Sequence, residues 1–482
     1  MTALTAAMLC LFTVGAGAAV AHLLPARLKL FELPEVGGGG SRVAVSGIGA
    51  VAGGQPVRSG GPPTPSGVSA RLSGLISSGE LGQRVGALVI NYSTGQTLYS
   101  MAPGTGFTPA STTKLATAVA AIDTLGISAR FRTAVRLSPG ARPAIVLVGG
   151  GDPTLSAGRY PAGSYPRPAS LEALARLAVK ALRARGIHSV RLTYDNTLFV
   201  GPTLAPGWPA AGAAGNYIST GNVSPITGLE VDQGRLTQAG VPQDSDDPSN
   251  FSPRSMVPGH DAAVAFAGFL REGGIIVRNI PVQARGRERA VRARAIASVR
   301  SVTVAQMVQW MLQESNNVIA ETLARQVAIA TGKPATFSGA AHAVMAVDAR
   351  LGVRGIHLHD GSGLSPLDLI SPRALVKLIE IASGRGFPGL RPVITGLPVA
   401  GFSGTLSRGS DFGPFGRAAL GTVRAKTGNL SSVATMAGIA YATDGDVLIF
   451  AFMGNDIGRK LGLQPESLLS RLATELAGCG CR

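Results

Sequence analysis

Three short motifs place the strongest constraint on how this chain can fold. In chain order they are Ser111-Thr-Thr-Lys114, Ser315-Asn-Asn317 and Lys426-Thr-Gly428. Residues three apart on a helix share a face, so a helix that starts at Ser111 would bring the Lys114 amine within reach of the Ser111 hydroxyl. About 200 residues separate the first motif from the second, and about 110 separate the second from the third. If the three motifs act together, the fold must close across both long segments.

The local sequence predicts a different setting for each motif. Pro109 ends an extended approach and the alanine-rich stretch after Lys114 predicts a buried helix, which puts Ser111 at a helix start. The second motif follows a predicted helix from Val302, and the third lies in a strand-like run at a sheet edge. Alone, each motif is explained by a helix cap, a surface lysine or a strand end. The ordered triple in these three settings indicates a catalytic serine.

A serine nucleophile needs a base, and Lys114 is the candidate. No acidic residue lies within its motif, so burial against the apolar helix would favour the neutral amine, and a second cation at Lys426 would favour it further. Backbone N–H groups near Ser111 and in the strand after Lys426 could then stabilise an oxyanion.

The remaining pattern predicts an α+β protein with a large inserted domain. Expected helices cover residues 70–76, 171–185 and 463–477; expected strands cover 86–92 and 96–100 (a hairpin), 144–148, 190–194, 436–442 and 447–453. The short strands and Gly/Pro-rich loops of 131–295 differ in character from what flanks them. We therefore assign 68–130 and 296–482 to a catalytic domain that is interrupted by an inserted domain at 131–295.

The N-terminal sequence indicates export. Residues 1–24 are almost wholly apolar, long enough for a signal peptide or a membrane anchor, and both interpretations stay open. Residues 25–67 are rich in Gly and Pro, a composition that predicts a tether.

The basic excess predicts attraction to an anionic wall or membrane surface and argues against a nucleic-acid partner. The formal net charge is +17, yet no run of basic residues resembles a nucleic-acid arm. The densest basic group lies in a loop-like stretch and is explained equally well as a solvated face or as a phosphate-binding patch. Its members are Arg285, Arg287, Arg289, Arg292 and Arg294.

Together the motifs resemble those of the class C low-molecular-mass penicillin-binding proteins, a family of serine D-alanyl-D-alanine carboxypeptidases and endopeptidases. The resemblance extends over about residues 68–477, and the segments 148–155, 195–199, 360–365 and 404–406 are similar to recurring segments of that family. It implies the penicilloyl-serine transferase (β-lactamase/transpeptidase-like) fold, an antiparallel sheet flanked by helices, with a large insertion between the first two motifs.

The resemblance also implies a role for each motif residue. Ser111 would be the acyl-enzyme nucleophile, Lys114 its general base and Ser315 a proton shuttle toward the leaving amine. Asn317 would bind the amide oxygen of the substrate peptide, and Lys426 would set the electrostatics of the site.

The third motif would bind the substrate's terminal carboxylate. Thr427 would contact that carboxylate, Gly428 and Asn429 would complete the substrate-binding strand, and the backbone N–H groups of Ser111 and Asn429 would form the oxyanion hole. Asn429 stands where the family usually has Thr or Ser. A hydroxyl contact is therefore missing, which puts a strict carboxypeptidase preference in question.

The implied reaction is hydrolysis of the D-Ala-D-Ala bond of peptidoglycan stem peptides, and possible cleavage of cross-links, with β-lactams as acylating inhibitors and no cofactor or metal. One alternative is a serine β-lactamase, although residues 336–355 contain no Glu for deacylation. Another is a catalytically weak wall-binding protein on the same fold.

Several other residues have two interpretations each. His357 and His359 alternate on a strand-like run and are better explained as strand residues than as metal ligands. Trp208 and Tyr217 form either an aromatic lip over the substrate or, preferably, buried core. Asp152 and Asp360 are expected to be structural turn residues. Cys479 and Cys481 form either a small disulfide or two free thiols.

Overall fold

The computed structural model describes residues 62–481 with gaps at 139–142, 159–164, 211, 237–251, 285–293, 408–416 and 459–464. Residues 1–24, most of the predicted tether and four of the five clustered arginines (285, 287, 289 and 292) lie outside the described residues. Within the described ranges, no helix has both the length and the apolar character needed to cross a membrane.

The described secondary structure is numbered here in chain order. The helices are α1 (Pro65–Ile76), α2 (Lys114–Leu125), α3 (Leu171–Arg183), α4 (Pro258–Glu272), α5 (Val304–Gln313), α6 (Asn317–Ala330), α7 (Phe337–Arg350), α8 (Pro372–Ser383), α9 (Arg391–Thr395) and α10 (Pro465–Ala477). The strands are β1 (Arg84–Asn91), β2 (Thr97–Met101), β3 (Arg132–Ser138), β4 (Ala144–Val148), β5 (Ser189–Asp195), β6 (Ile276–Val277), β7 (Val282–Gln283), β8 (Arg294–Arg300), β9 (Ile356–His357), β10 (Leu369–Ile370), β11 (Val423–Leu430), β12 (Val433–Tyr441) and β13 (Val447–Asn455).

The predicted catalytic domain is built on a five-stranded antiparallel sheet with the order β11-β12-β13-β1-β2. Strand β1 pairs with β13 from Arg84↔Asn455 to Asn91↔Leu448, so the two parts of the domain share one sheet. Strand β11, which carries Lys426, is at the edge of this sheet, as predicted. The hairpin of β1 and β2 is also confirmed.

Helices cover both faces of this sheet because its central strands are apolar on both sides. Leu88 packs into a core with α2 and α5 to α8, whereas its neighbour Val89 packs into a second core with α1 and α10. Successive side chains of a strand point to opposite faces, so a continuous apolar run needs cover on both. This confirms the predicted antiparallel sheet flanked by helices.

The segment between the two catalytic parts forms a separate six-stranded mixed sheet. Five of its strands have the order β6-β5-β4-β3-β8, and the sixth, β7, pairs with β5. Helices α3 and α4 pack with this sheet in a core of their own. Strand β8 continues to Arg300 because it pairs with β3 as far as Arg132. This sheet therefore extends five residues beyond residue 295.

The chain ends of this segment meet. The Ser301 backbone N–H donates to the Phe131 carbonyl at 2.9 Å, so the segment leaves and rejoins the catalytic domain at one point. At the C-terminus, Cys479 and Cys481 are joined by a disulfide, which decides between the two interpretations left open by the sequence.

Candidate active site

Ser111 lies in a tight 3₁₀ turn, Ala110–Thr113, that leads directly into α2. The preceding residue, Ala110, has a φ of +48°, a left-handed conformation that is uncommon for a residue with a Cβ. The turn is secured by the Thr112 hydroxyl, which donates to the Pro109 carbonyl at 2.7 Å. The predicted helix start is confirmed, with the nucleophile candidate one turn ahead of the α-helix.

Lys114 is fully buried and its amine contacts three oxygen atoms. Lys114 Nζ lies 2.9 Å from Ser111 Oγ, 2.7 Å from Asn317 Oδ1 and 2.8 Å from the Ser362 carbonyl oxygen. A neutral amine has two N–H donors and one lone pair. When the Asn317 and Ser362 oxygens accept the two N–H bonds, the lone pair is directed at the Ser111 hydroxyl, which is the geometry that a general base requires.

The environment of Lys114 also favours the neutral amine. Burial lowers the pKa of Lys114 to about 7, although Asp360 and Glu321 act in the opposite direction. The sequence predicted desolvation correctly but not these two buried carboxyl groups.

The second motif forms the junction between α5 and α6. Ser315 has a φ of +53° at the turn, and Asn316 begins α6 as its N-cap, with its side chain accepting from the Ile319 backbone N–H at 3.0 Å. Asn317 bridges the site: its Oδ1 accepts from Lys114, and its Nδ2 donates to the Asn222 carbonyl at 2.9 Å. Within the described part of the chain, the Ser315 hydroxyl forms no hydrogen bond with Ser111 or Lys114.

The third motif lies on edge strand β11. Lys426 is fully buried, and its amine donates to the Thr427 carbonyl at 2.8 Å. Burial, and next the positive charge of Lys114, hold the pKa of Lys426 well below its usual range, while Glu314 raises it. The Thr427 hydroxyl lies 3.3 Å from the hydroxyl of Thr405, which belongs to the 3₁₀ turn Gly404–Leu406.

Gly428 allows this strand to approach the nucleophile. A Cβ at this position would lie 2.8 Å from the Ser111 backbone nitrogen, 2.7 Å from the Pro109 carbonyl oxygen and 2.5 Å from the Thr435 hydroxyl. Any larger residue would force the strand away from Ser111. The glycine of the motif is therefore a requirement of packing, and Asn429 follows it with an exposed side chain.

These residues open onto one cavity of about 310 Å³. The predicted site residues on its wall are Ser111, Ser315, Asn317, Thr427 and Asn429. The two lysines are fully buried and do not line it. The structure thus brings the three motifs together, with the nucleophile candidate at the surface of the cavity and both amines behind it.

Three contributors to this site were not found from the sequence. The Ser362 carbonyl binds Lys114, the Glu321 carboxyl group accepts from the Ser362 backbone N–H, and the Asn222 carbonyl binds Asn317. Two of these are backbone groups and carry no residue-type signal. The only available signal was the segment 360–365, whose Asp360 does have the predicted structural role: it accepts the backbone N–H bonds of Ser362, Gly363 and Ser365.

The remaining candidates have structural positions. Trp208 is buried, which agrees with the interpretation as a core residue. Its hydrophobic cluster also contains Phe337 and Leu364 of the predicted catalytic domain, and its Nε1 donates to Asp360 Oδ2 at 2.8 Å. Tyr217 donates to the Leu364 carbonyl. Asp152 accepts from the Thr154 backbone N–H and hydroxyl, as a turn residue does.

The alternating histidines lie at the short sheet of β9 and β10. The rings of His357 and His359 are 5.0 Å apart, and His359 Nδ1 is 3.8 Å from an oxygen of buried Asp368. Among the described residues, no group of three or more His, Cys, Asp or Glu side chains is arranged to hold a metal ion.

Comparisons with known proteins agree with this architecture. The model of the D-Ala-D-Ala carboxypeptidase 3 (S13) family matches residues 68–252 and 230–476. Carboxypeptidase DacB of Mycolicibacterium smegmatis is 35% identical over 424 residues, which cover 87% of this chain and 85% of that protein.

Two solved structures of penicillin-binding protein 4 from Haemophilus influenzae match at 22% identity. Each match covers 85% of this chain and 98% of the solved chain. The TM-score is 0.67 for the first structure and 0.61 for the second, which is a complex with a β-lactam. These two matches show the fold, and the fold agrees with the sheet and helix arrangement described above.

Proposed function

The chain belongs to the D-Ala-D-Ala carboxypeptidase 3 (S13) family of serine peptidases, and from this premise we propose that it cleaves the D-Ala-D-Ala bond of peptidoglycan stem peptides through an acyl-enzyme on Ser111. The single observation that carries this assignment is the contact of Lys114 Nζ with Ser111 Oγ at 2.9 Å, with two further oxygens fixing the amine.

In the proposed acylation step, Lys114 takes the hydroxyl proton as Ser111 Oγ attacks the carbonyl carbon of the penultimate D-Ala. The backbone N–H groups of Ser111 and Asn429 stabilise the oxyanion. The carbon–nitrogen bond then breaks, and the leaving D-Ala amine receives a proton through Ser315. A water molecule next attacks the ester carbonyl, which releases the shortened peptide and restores the Ser111 hydroxyl.

Substrate binding is assigned to the other motif residues. Asn317 binds the amide oxygen of the peptide, Thr427 contacts its terminal carboxylate, and Lys426 sets the electrostatics of the site. In this structure Asn317 Nδ2 donates to the Asn222 carbonyl, so the substrate oxygen takes the second N–H of the same amide. Gly428 and Asn429 present the backbone of β11 to the substrate.

A β-lactam presents a strained amide to the same serine and would acylate it. The Haemophilus protein is complexed with a β-lactam, which supports this extension to the present chain. We also propose that cross-linked peptides are substrates and that the chain acts outside the cytoplasm. Residues 1–24 would serve as a signal peptide or a membrane anchor, and the net charge of +17 would favour contact with an anionic wall or membrane surface.

We further propose that the segment of about 131–295 is an inserted domain, whose last strand continues to Arg300. Its own core of α3, α4 and the six-stranded sheet supports this division, as does the hydrogen bond between its two ends at Phe131 and Ser301.

Labelling with a fluorescent penicillin tests the function. Ser111→Ala should abolish covalent labelling and the release of D-Ala from a pentapeptide, because no nucleophile is left. Ser78→Ala, a change at an exposed serine after α1, is the matched control and should label like the parent. Mass spectrometry of the labelled peptide must locate the adduct on Ser111. An adduct on any other serine contradicts the assignment.

A further inference from the structure

The strongest unassigned feature near the site is a buried carboxyl group, Glu321, on the far side of Lys114. Glu321 is fully buried in α6. Its Oε1 accepts from the Ser362 backbone N–H at 2.8 Å, and the two carboxyl oxygens accept from the Gly361 backbone N–H at 3.1 and 3.0 Å. Burying a carboxyl group is costly unless it is hydrogen-bonded, so these bonds define what Glu321 holds in place.

Glu321 and Lys114 bind the backbone of the same residue, Ser362, from its two sides. The Ser362 carbonyl accepts from Lys114 Nζ at 2.8 Å, and the Gly361 carbonyl accepts from the Thr117 hydroxyl at 2.6 Å. The segment 361–362 is therefore fixed by α6 on its N–H side and by α2 on its carbonyl side. A shift of this peptide would carry the Ser362 carbonyl away from the amine.

Two glycines make this placement sterically possible. A Cβ at Gly361 would lie 2.7 Å from Ala324 Cβ on α6, and a Cβ at Gly363 would collide with the Ala110 carbonyl oxygen beside Ser111. Gly363 also has a φ of +81°. The turn is thus pressed between helix α6 and the nucleophile turn, and the distance between the two sets the position of the Ser362 carbonyl.

We propose that Glu321 is a positioning residue that orients the Lys114 lone pair toward Ser111 by fixing the backbone of Ser362. The inference rests on the proposed role of Lys114 as base. Glu321 touches neither the substrate nor the reacting atoms, and it acts on Lys114 through the backbone of one residue, Ser362.

The charged groups around Glu321 and Lys114 determine how the acylation rate should depend on pH. Glu321 and Arg325 face this region from α6, Asp360 and Asp368 from the turn and the loop after it, and Lys426 from β11. Burial, and next Asp360, raise the pKa of Glu321 to about 8. The carboxylate form of Glu321 raises the pKa of Lys114. Near pH 7, however, Glu321 is largely protonated, so replacing it with the neutral glutamine should leave the midpoint of Lys114 close to that of the parent.

The test compares Glu321→Gln and Glu321→Ala with the parent, using the rate of penicillin acylation from pH 5 to 9. The parent rate should rise with pH through a midpoint near 7, as Lys114 loses its proton. Glu321→Gln keeps an oxygen for both N–H groups, so its plateau rate should stay within about threefold and its midpoint close to that of the parent. Glu321→Ala leaves both N–H groups without an acceptor and should lower the plateau at least about tenfold.

Asp348→Asn in α7 is the matched control, because Asp348 is also a fully buried carboxyl group but has no contact with Lys114 or the 361–362 peptide. It should leave the plateau and the midpoint unchanged. A plateau in Glu321→Ala equal to that of the parent overturns the proposal, and so does a plateau in Glu321→Gln as low as that of Glu321→Ala, since the oxygen that glutamine keeps should rescue the rate. Failure of the parent itself to label at Ser111 would instead contradict the proposed function.

Discussion

At the scale of single residues, Asn429 occupies the position where the resemblance leads us to expect Thr or Ser. Its side chain is exposed on the wall of the cavity that Ser111 opens onto, directly after the glycine that lets β11 approach the nucleophile. Its backbone N–H is independent of the side chain. Asn429 can therefore influence which substrate is bound without altering the proposed oxyanion hole.

Asn429→Thr should raise hydrolysis of a free D-Ala-D-Ala terminus relative to a cross-linked dimer. The shorter hydroxyl side chain relieves crowding and can donate to the terminal carboxylate, a contact worth about 1 to 3 kcal/mol or roughly tenfold to a hundredfold. Penicillin acylation should stay within about tenfold, because the backbone donor is kept. Hydrolysis rates of the two peptides decide the matter. An unchanged ratio would mean that the Asn429 side chain does not contact the carboxylate.

The residues that the sequence predicted and those that it missed differ in kind. Ser111, Lys114 and Lys426 belong to short motifs in which residue type and spacing carry the chemistry, so their convergence could be predicted. Ser362 contributes only a carbonyl, and Glu321 lies four residues after Asn317 among apolar neighbours. Their roles arise from the tertiary approach of α6 to the 360–363 turn, which no local pattern encodes.

At the scale of secondary structure, the start of α6 determines where the second motif lies. Asn316 joins two functions at this point: its Oδ1 caps the helix through the Ile319 N–H, and its Nδ2 donates to Gln233 Oε1 at 2.8 Å. Because Ser315 and Asn317 flank this cap, the same interaction that begins the helix also fixes both site residues.

Asn316→Ala should lower the free energy of unfolding by about 1 kcal/mol, within a range of roughly 0.5 to 2, because the α6 N–H group loses its acceptor. Asn316→Ser is the control: serine is an equally good cap but is too short to reach Gln233, so it should recover most of the loss. Denaturant unfolding of the three proteins measures this. If the serine variant is as unstable as the alanine variant, the contact with Gln233 and not the cap dominates.

At the scale of the whole molecule, the inserted segment has two structural parts. Helices α3 and α4 and the mixed sheet have their own core, to which Phe266 belongs. The stretch that contains Trp208 instead packs against Phe337 and Leu364 of the catalytic domain. Sequence composition could mark the segment as different, but it could not assign Trp208 to a shared core, because apolar residues look alike whichever partner they pack against.

This division predicts that two buried aromatic residues of the same segment have different effects. Trp208→Ala and Phe266→Ala each remove a large buried ring and should cost about 3 to 5 kcal/mol of stability. Only Trp208 binds Asp360, which holds the turn whose Ser362 carbonyl contacts Lys114. At a temperature where both variants are folded, Trp208→Ala should slow penicillin acylation at least about tenfold, whereas Phe266→Ala should react like the parent. Equal losses in the two variants would mean that the segment supports the site only through global stability, and equal retention would mean that the Trp208–Asp360 bond does not contribute to the position of Lys114.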